Sequence, residues 1–359
     1  MVDARIEVGA RLNETTALQI AADLAQYDLN PGERLVLDFT STSHFEPFGM
    51  LFLGSAIRRA QHRAQIAGAS LVISTASNAG DGIAGHMGFW HSLGLPMGRE
   101  VNASAAKESY LPITSLEIAD LYRQAGGRDP RGAGVIEEEA RRLGVILAQP
   151  FSEALLEAIT YALRELIRNV LEHASTPRIW LAGMSWPKRD LVQVAILDEG
   201  RGIRSSLADD PDLRFPTDAE AVREALRAGV TRNAKRARSR EEIERWQDER
   251  HLLPLSVFDN TGYGLFMIST FCREAGQFLI ASGSSYLKLI ANAEVSGASL
   301  HRGTALRLVL EPTKVGTAFD RLFESMNIRS SAGNKPLLSA STLRRLGLDS
   351  LTGDADGVK

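Results

Sequence analysis

The chain has one cysteine, Cys272, in 359 residues, which excludes an intrachain disulfide and any zinc site built on several thiolates. It has no uninterrupted apolar run long enough to cross a bilayer, and its opening residues, "MVDARIEVGA", lack a signal-peptide core. A cytoplasmic protein with no membrane span is the expectation. Charge of one sign is missing too. Lys and Arg number 41 against 44 Asp and Glu, so a formal net charge of −3 gives no overall pull toward nucleic acid or anionic lipid. What is present is 44% hydrophobic and 24% charged residues, the balance of a globular protein, in a length that suits two ordinary domains. No internal repeat is apparent.

Strand and helix signals alternate at the front. "ERLVLDFTST" reads as a strand, "FEPFGMLFLGSAIRRAQHRAQIAG" as a turn into an amphipathic helix, and "ASLVIST" as a second strand, after an opening polar segment. Residues 1–100 are thus expected to form a small α/β domain, and 101–148 a partly helical connector. A second domain is expected over 149–315: a long helix, a hairpin of "PRIWLAGMSW" and "LVQVAILDEG" around "PKRD", a polar region over 204–260, a helix behind glycines, and two closing strands. The tail, 316–359, reads as partly disordered.

Within the long helix, "YALRELIRNVLEHA" carries Glu165, Asn169 and His173 four residues apart, in one slowly drifting row. Taken alone the row reads first as a solvated face. Three later pieces bear on it. In "ILDEGRGI" a strand ends in Asp198, followed by Gly200, Gly202 and Ile203. This is either a Gly-rich turn with a capping Asp, or a carboxylate placed to accept from the exocyclic amine of adenine, with glycines letting backbone approach a flat base. In "TGYGLFMI", residues 261 to 268, Thr261, Gly262, Tyr263, Gly264 and Leu265 lead into a helix whose free N–H groups could meet phosphate oxygens. No Gly-Lys-Ser/Thr follows, so it is not a Walker loop. In "RGTALRLVL", Gly303 and Thr304 precede an alternating strand.

In this order the pieces resemble the nucleotide site of the GHKL superfamily (gyrase, Hsp90, histidine kinase and MutL ATPases), over residues 150 to 312. The resemblance implies a two-layer α/β sandwich, here with a mixed sheet covered by helices, that binds Mg-ATP. It implies Glu165 as general base, Asn169 as the Mg²⁺ ligand, and an ATP site formed by Asn169, His173, Asp198, Gly200, Gly202, Ile203, Thr261 to Leu265 and Thr304. The Glu165-Asn169-His173 spacing matches the anti-sigma serine-kinase branch, although His173 also reads as a plain helix-end residue. "EAVREALRAGVTRN" resembles the lid helix of the family. The cluster Arg232, Lys235, Arg236, Arg238 and Arg240 behind it reads first as a solvated charged helix, with phosphate, an acidic partner or nucleic acid as alternatives.

The front domain resembles the STAS fold of anti-sigma factor antagonists, with an unrelated α/β domain as the alternative. Its turn, Glu46-Pro47-Phe48-Gly49, has no hydroxyl where that family carries a phosphorylatable serine. Phe48 and Pro47 make an apolar tip, suited to docking on the second domain or on a protein partner. The function implied is an ATP-hydrolysing conformational switch, able to dimerise on ATP. The alternatives are a protein serine kinase and a nucleotide-dependent binding module with little turnover. A histidine kinase is disfavoured because neither His62 nor the connector offers its phosphoacceptor hairpin.

Overall fold

The structure, a computed structural model, describes residues 3–102, 109–125, 133–148, 151–228, 230, 264–318 and 321–322. Its first unit runs β1 (Asp3–Glu7), β2 (Arg11–Leu12), α1 (Glu14–Gln26), β3 (Arg34–Asp38), β4 (His44–Phe45), α2 (Pro47–Ala67), β5 (Ser70–Ser74), α3 (Ile83–His86) and α4 (Phe89–Ser92). Strands β1, β3 and β5 pair in that order in a parallel sheet, as βαβ connections through α1 and α2 require. Helix α1 was hidden in what reads as a polar opening segment. The Asn13 side chain caps it by accepting from Thr16 N–H, and Ala17, Ile20, Ala21 and Leu24 supply its buried stripe. Helix α2 starts with Pro47 in the first turn and ends at Gly68 in the left-handed conformation.

The second unit runs β6 (Tyr110–Glu117), α5 (Ile118–Ala125), α6 (Ala133–Ala148), α7 (Glu153–His173), β7 (Arg178–Trp186), β8 (Leu191–Asp198), α8 (Gly202–Leu207), α9 (Asp218–Ala225), α10 (Gly264–Ala275), β9 (Gly276–Ile290) and β10 (Ala293–Leu310). A helical stretch at 312–318 follows. The sheet order is β6-β7-β8-β10-β9 and every neighbouring pair is antiparallel, so the expected mixed sheet is corrected. Two hairpins, β7–β8 and β9–β10, meet along β8–β10, and only a parallel neighbour would need a crossover. Within the partly helical connector expected over 101–148, β6 forms the edge of this sheet and α6 packs on α7.

Alternation along the strands sends side chains to two cores. Ile179, Leu181, Val194, Ile196, Leu306 and Leu308 face α6, α7 and α10. Trp180, Ala182, Met184, Ala195, Leu197 and Ala305 face the first unit and share its core with Phe48, Phe52 and Ile57 of α2. The sheet is therefore covered on both faces, one layer more than the sandwich expected from sequence. Held between two sheets, the first half of α2 is buried all round, from Pro47 to Ile57.

The apolar tip faces inward. Phe48 is 1% exposed, and its N–H donates to Gln193 Oε1 of β8 at 3.1 Å. Polar residues pin this contact. Glu46 accepts from Gln193 Nε2 at 3.0 Å and from Arg307 at 3.3 Å, while Glu14 pairs with Lys288 at 2.6 Å and Arg307 at 3.5 Å. Burial alone would push the Glu14 carboxyl up, but Arg307 and Lys288 outweigh it and hold its pKa below the ordinary carboxylate value.

Candidate functional site

Helix α7 opens at Ser152, whose hydroxyl accepts from Leu155 N–H, and buries Leu155, Ile159, Leu163, Leu166 and Ile167. That anchoring rotates its polar row toward the ends of β8 and β10. Asn169 and His173 line a cleft there, together with Asp198 at the end of β8 and Thr304 on β10. Gly202 and Ile203 from α8, and Gly264 and Leu265 from α10, complete the predicted part of the lining. The cleft encloses about 910 Å³ including its open mouth. Thr261, Gly262 and Tyr263 lie outside the described residues, as do the basic cluster at 232–240 and most of the tail.

Close backbone approach explains the glycines. A Cβ on Gly200 would stand 2.1 Å from Ala174 O. Gly303, at φ +99°, would place a Cβ 2.2 Å from Asp198 O. The turn after β8 is thus wedged between the end of α7 and β10, which fixes the Asp198 carboxylate. Gly200 N–H donates to Asp198 Oδ1 at 2.8 Å, and the amide and hydroxyl of Thr304 donate to the same carboxyl group. Asp198 is 2% exposed. Burial pushes its pKa up to about 7, against the pull of those donors. A buried acid with so raised a pKa, lining a cleft, is a candidate functional group. Gly200 itself is behind the lining and acts through the turn.

Glu165 is placed differently from Asn169 and His173. It is 4% exposed and does not line the cleft; Arg164 holds one carboxylate oxygen at 3.0 Å and Arg168 the other at 2.5 Å. Arg164 also reaches Glu137 of α6 at 3.2 Å, and Arg168 lines the cleft. A Cβ on Gly264 would stand 2.7 Å from Glu165 Oε2, so this glycine lets the start of α10 close over the carboxylate. His173 lies 3.8 Å from Glu172.

Sequence reasoning did not find several residues of the site. Leu166, Val170, Leu207 and Leu306 give the cleft an apolar wall, and in sequence they are indistinguishable from core. Ser282 is buried and ties the turn after β8 to Gly303: its hydroxyl accepts from Ile203 N–H and donates to Gly303 O, both at 2.9 Å. No cluster of three or more His, Cys, Asp and Glu able to hold a metal occurs among the described residues. A metal here would be held by Asn169 together with oxygens of a ligand, as suits Mg²⁺.

The chain matches no family model, and no curated protein matches it. No helix among the described residues is long and apolar enough to cross a membrane.

Proposed function

We propose that this cleft binds Mg-ATP in the manner of GHKL ATPases, and that the protein is a nucleotide-dependent conformational switch. One observation carries the reading: four sequence pieces separated by up to about 140 residues of chain converge on one apolar-walled cleft, with Asp198 buried at its base. The ionised Asp198 carboxylate accepts from an exocyclic amine, and a base without that amine removes one of its hydrogen bonds at a cost of about 1–3 kcal/mol. Asn169 offers an amide oxygen toward the phosphate end. The Mg²⁺ that Asn169 would hold supplies charge neutralisation for the phosphates. Gly264 and Leu265, at the start of α10, offer backbone N–H groups on that side.

Glu165 is the general base of this reading. In the described arrangement both its oxygens accept from guanidinium groups, which occupies them and holds the side chain out of the cleft. Hydrolysis therefore requires Arg168 to release Glu165 when nucleotide arrives. The same pairing favours a second reading, a nucleotide-binding module with little turnover.

Phosphate release from Mg-ATP by the wild type and Glu165→Ala separates the two, with affinity measured on both. Slow release by the wild type and none by a variant that still binds supports hydrolysis. Binding without release by the wild type supports the second reading, and absence of binding rejects both.

A further inference from the structure

The turn that carries Asp198 is held from outside its own unit. Glu199, between Asp198 and Gly200, accepts from Ser55 Oγ at 2.6 Å and from Arg58 at 3.2 Å, both on α2. Arg58 is itself fixed over the Trp180 ring, 4.5 Å from its centroid. Burial would push the Glu199 carboxyl up, yet Arg58 and Ser55 hold its pKa below the ordinary value. A second arm starts at Arg59, which donates to Leu300 O at 3.1 Å and stands 3.4 Å from His301 Nδ1. His301 is buried, with Nε2 2.9 Å from the backbone carbonyl of Asp198.

The proton positions follow. A guanidinium only donates and a carbonyl only accepts, so His301 is neutral with its proton on Nε2. Burial and the nearby Arg59 push its pKa down to about 3, which keeps this relay in one state across the physiological range. The two arms thus grip adjacent residues of one turn, Asp198 by its carbonyl and Glu199 by its side chain. Both arms come from one helix, which also packs on α1, β5 and α4 of the first unit.

We propose that Ser55, Arg58 and Arg59 are positioning residues of the nucleotide site, so that α2 sets where the Asp198 carboxylate stands and how sharply the cleft selects a base bearing an exocyclic amine. This rests on the nucleotide reading above. By linkage, a ligand that fixes Asp198 also tightens the seating of α2, and any displacement of the first unit changes nucleotide affinity by the same factor. The first unit is then a built-in control element of the cleft, acting from the back of the sheet.

The test uses the full chain carrying Ser55→Ala with Arg58→Met, or Glu199→Gln alone, which keeps an oxygen for Ser55 but loses the charge that Arg58 meets. Without nucleotide, hydrogen exchange at the Gly200 and Ile203 amides is expected to quicken about tenfold in the double variant and less in Glu199→Gln, with α7 unchanged. The preference for Mg-ATP over Mg-ITP, whose base lacks the amine, is expected to fall several-fold in the same order. Unchanged exchange in the turn together with an unchanged ATP/ITP ratio overturns the proposal. Should the double variant not fold, Glu199→Gln decides by the same readouts. Should the wild type bind neither nucleotide, the nucleotide reading fails, and exchange alone decides whether α2 positions the turn.

Discussion

Replacing Asp198 by Asn should make the protein more stable at alkaline pH while removing its ligand. Burial moves this carboxyl from 3.8 to about 7, roughly 3 pK units at 1.36 kcal/mol each, or about 4 kcal/mol. The sign follows from proton counting. Between those two values the native state holds a proton that the unfolded chain has lost, so the group's contribution to stability falls as pH rises from about 4 to 7 and stays low above. Asn has nearly the same shape, can still accept from Gly200 N–H and Thr304, and never ionises. At pH 4.5 the variant should match the wild type within about 1 kcal/mol; at pH 8 it should exceed it by about 2–4 kcal/mol. Urea unfolding of both proteins at the two pH values gives the difference directly, since all other carboxyl groups titrate alike in each and cancel. A variant that loses stability equally at both pH values would refute the burial of an ionising acid at this position.

Phe48→Ala should cost about 3–5 kcal/mol in urea unfolding, because Phe48 is buried between α2 and the five-stranded sheet and stacks on Phe52 at 5.3 Å. A cost below about 1 kcal/mol would mean that α2 is not seated there. Gly303→Ala forces a Cβ to within 2.2 Å of Asp198 O at φ +99°, and should lower thermal stability by about 2 kcal/mol or more and weaken nucleotide binding together. Glu14→Gln probes the contact between units by pH: the depressed Glu14 pKa contributes stability that is fully present above the unfolded carboxyl value and is lost as pH falls through the lower folded value. Unfolding midpoints of wild type and variant should accordingly differ near neutrality and converge in acid; parallel curves would contradict the ion pairs to Arg307 and Lys288.

Much of the candidate site was legible because its chemistry is local. Asp198, Gly200 and Gly202 announce a turn after a strand, and the row Asn169–His173 announces a helix face; the fold had only to bring them together. Glu165 shows the limit of that approach. Its partners Arg164 and Arg168 stand one and three residues away and were visible, but only packing reveals that both oxygens are taken. Helix α1 is legible in the spacing of Ala17, Ile20, Ala21 and Leu24, but the polar residues between them give the segment a polar look. Strand β6 was harder: Pro112 interrupts its ladder, and its register shifts between Leu111 and Thr114. The interface between units was legible only at the apolar tip of Pro47 and Phe48, one of whose two readings was docking on the second domain. Gln193 and Arg307 read as ordinary strand polar residues, and their partners lie more than 140 residues away. Buried polar pairs of such separation leave no periodic signal, so a helix whose first half is buried all round reads in sequence as an amphipathic helix of one domain.

Calorimetric titration of Mg-ATP into the wild type and Asp198→Asn at pH 8 tests directly whether Asp198 holds an adenine nucleotide. The wild type should bind one molecule of ATP per chain, and the variant, folded and more stable, should lose that binding. No binding by the wild type, or equal binding by the variant, would contradict the assignment of the cleft to an adenine nucleotide held by Asp198.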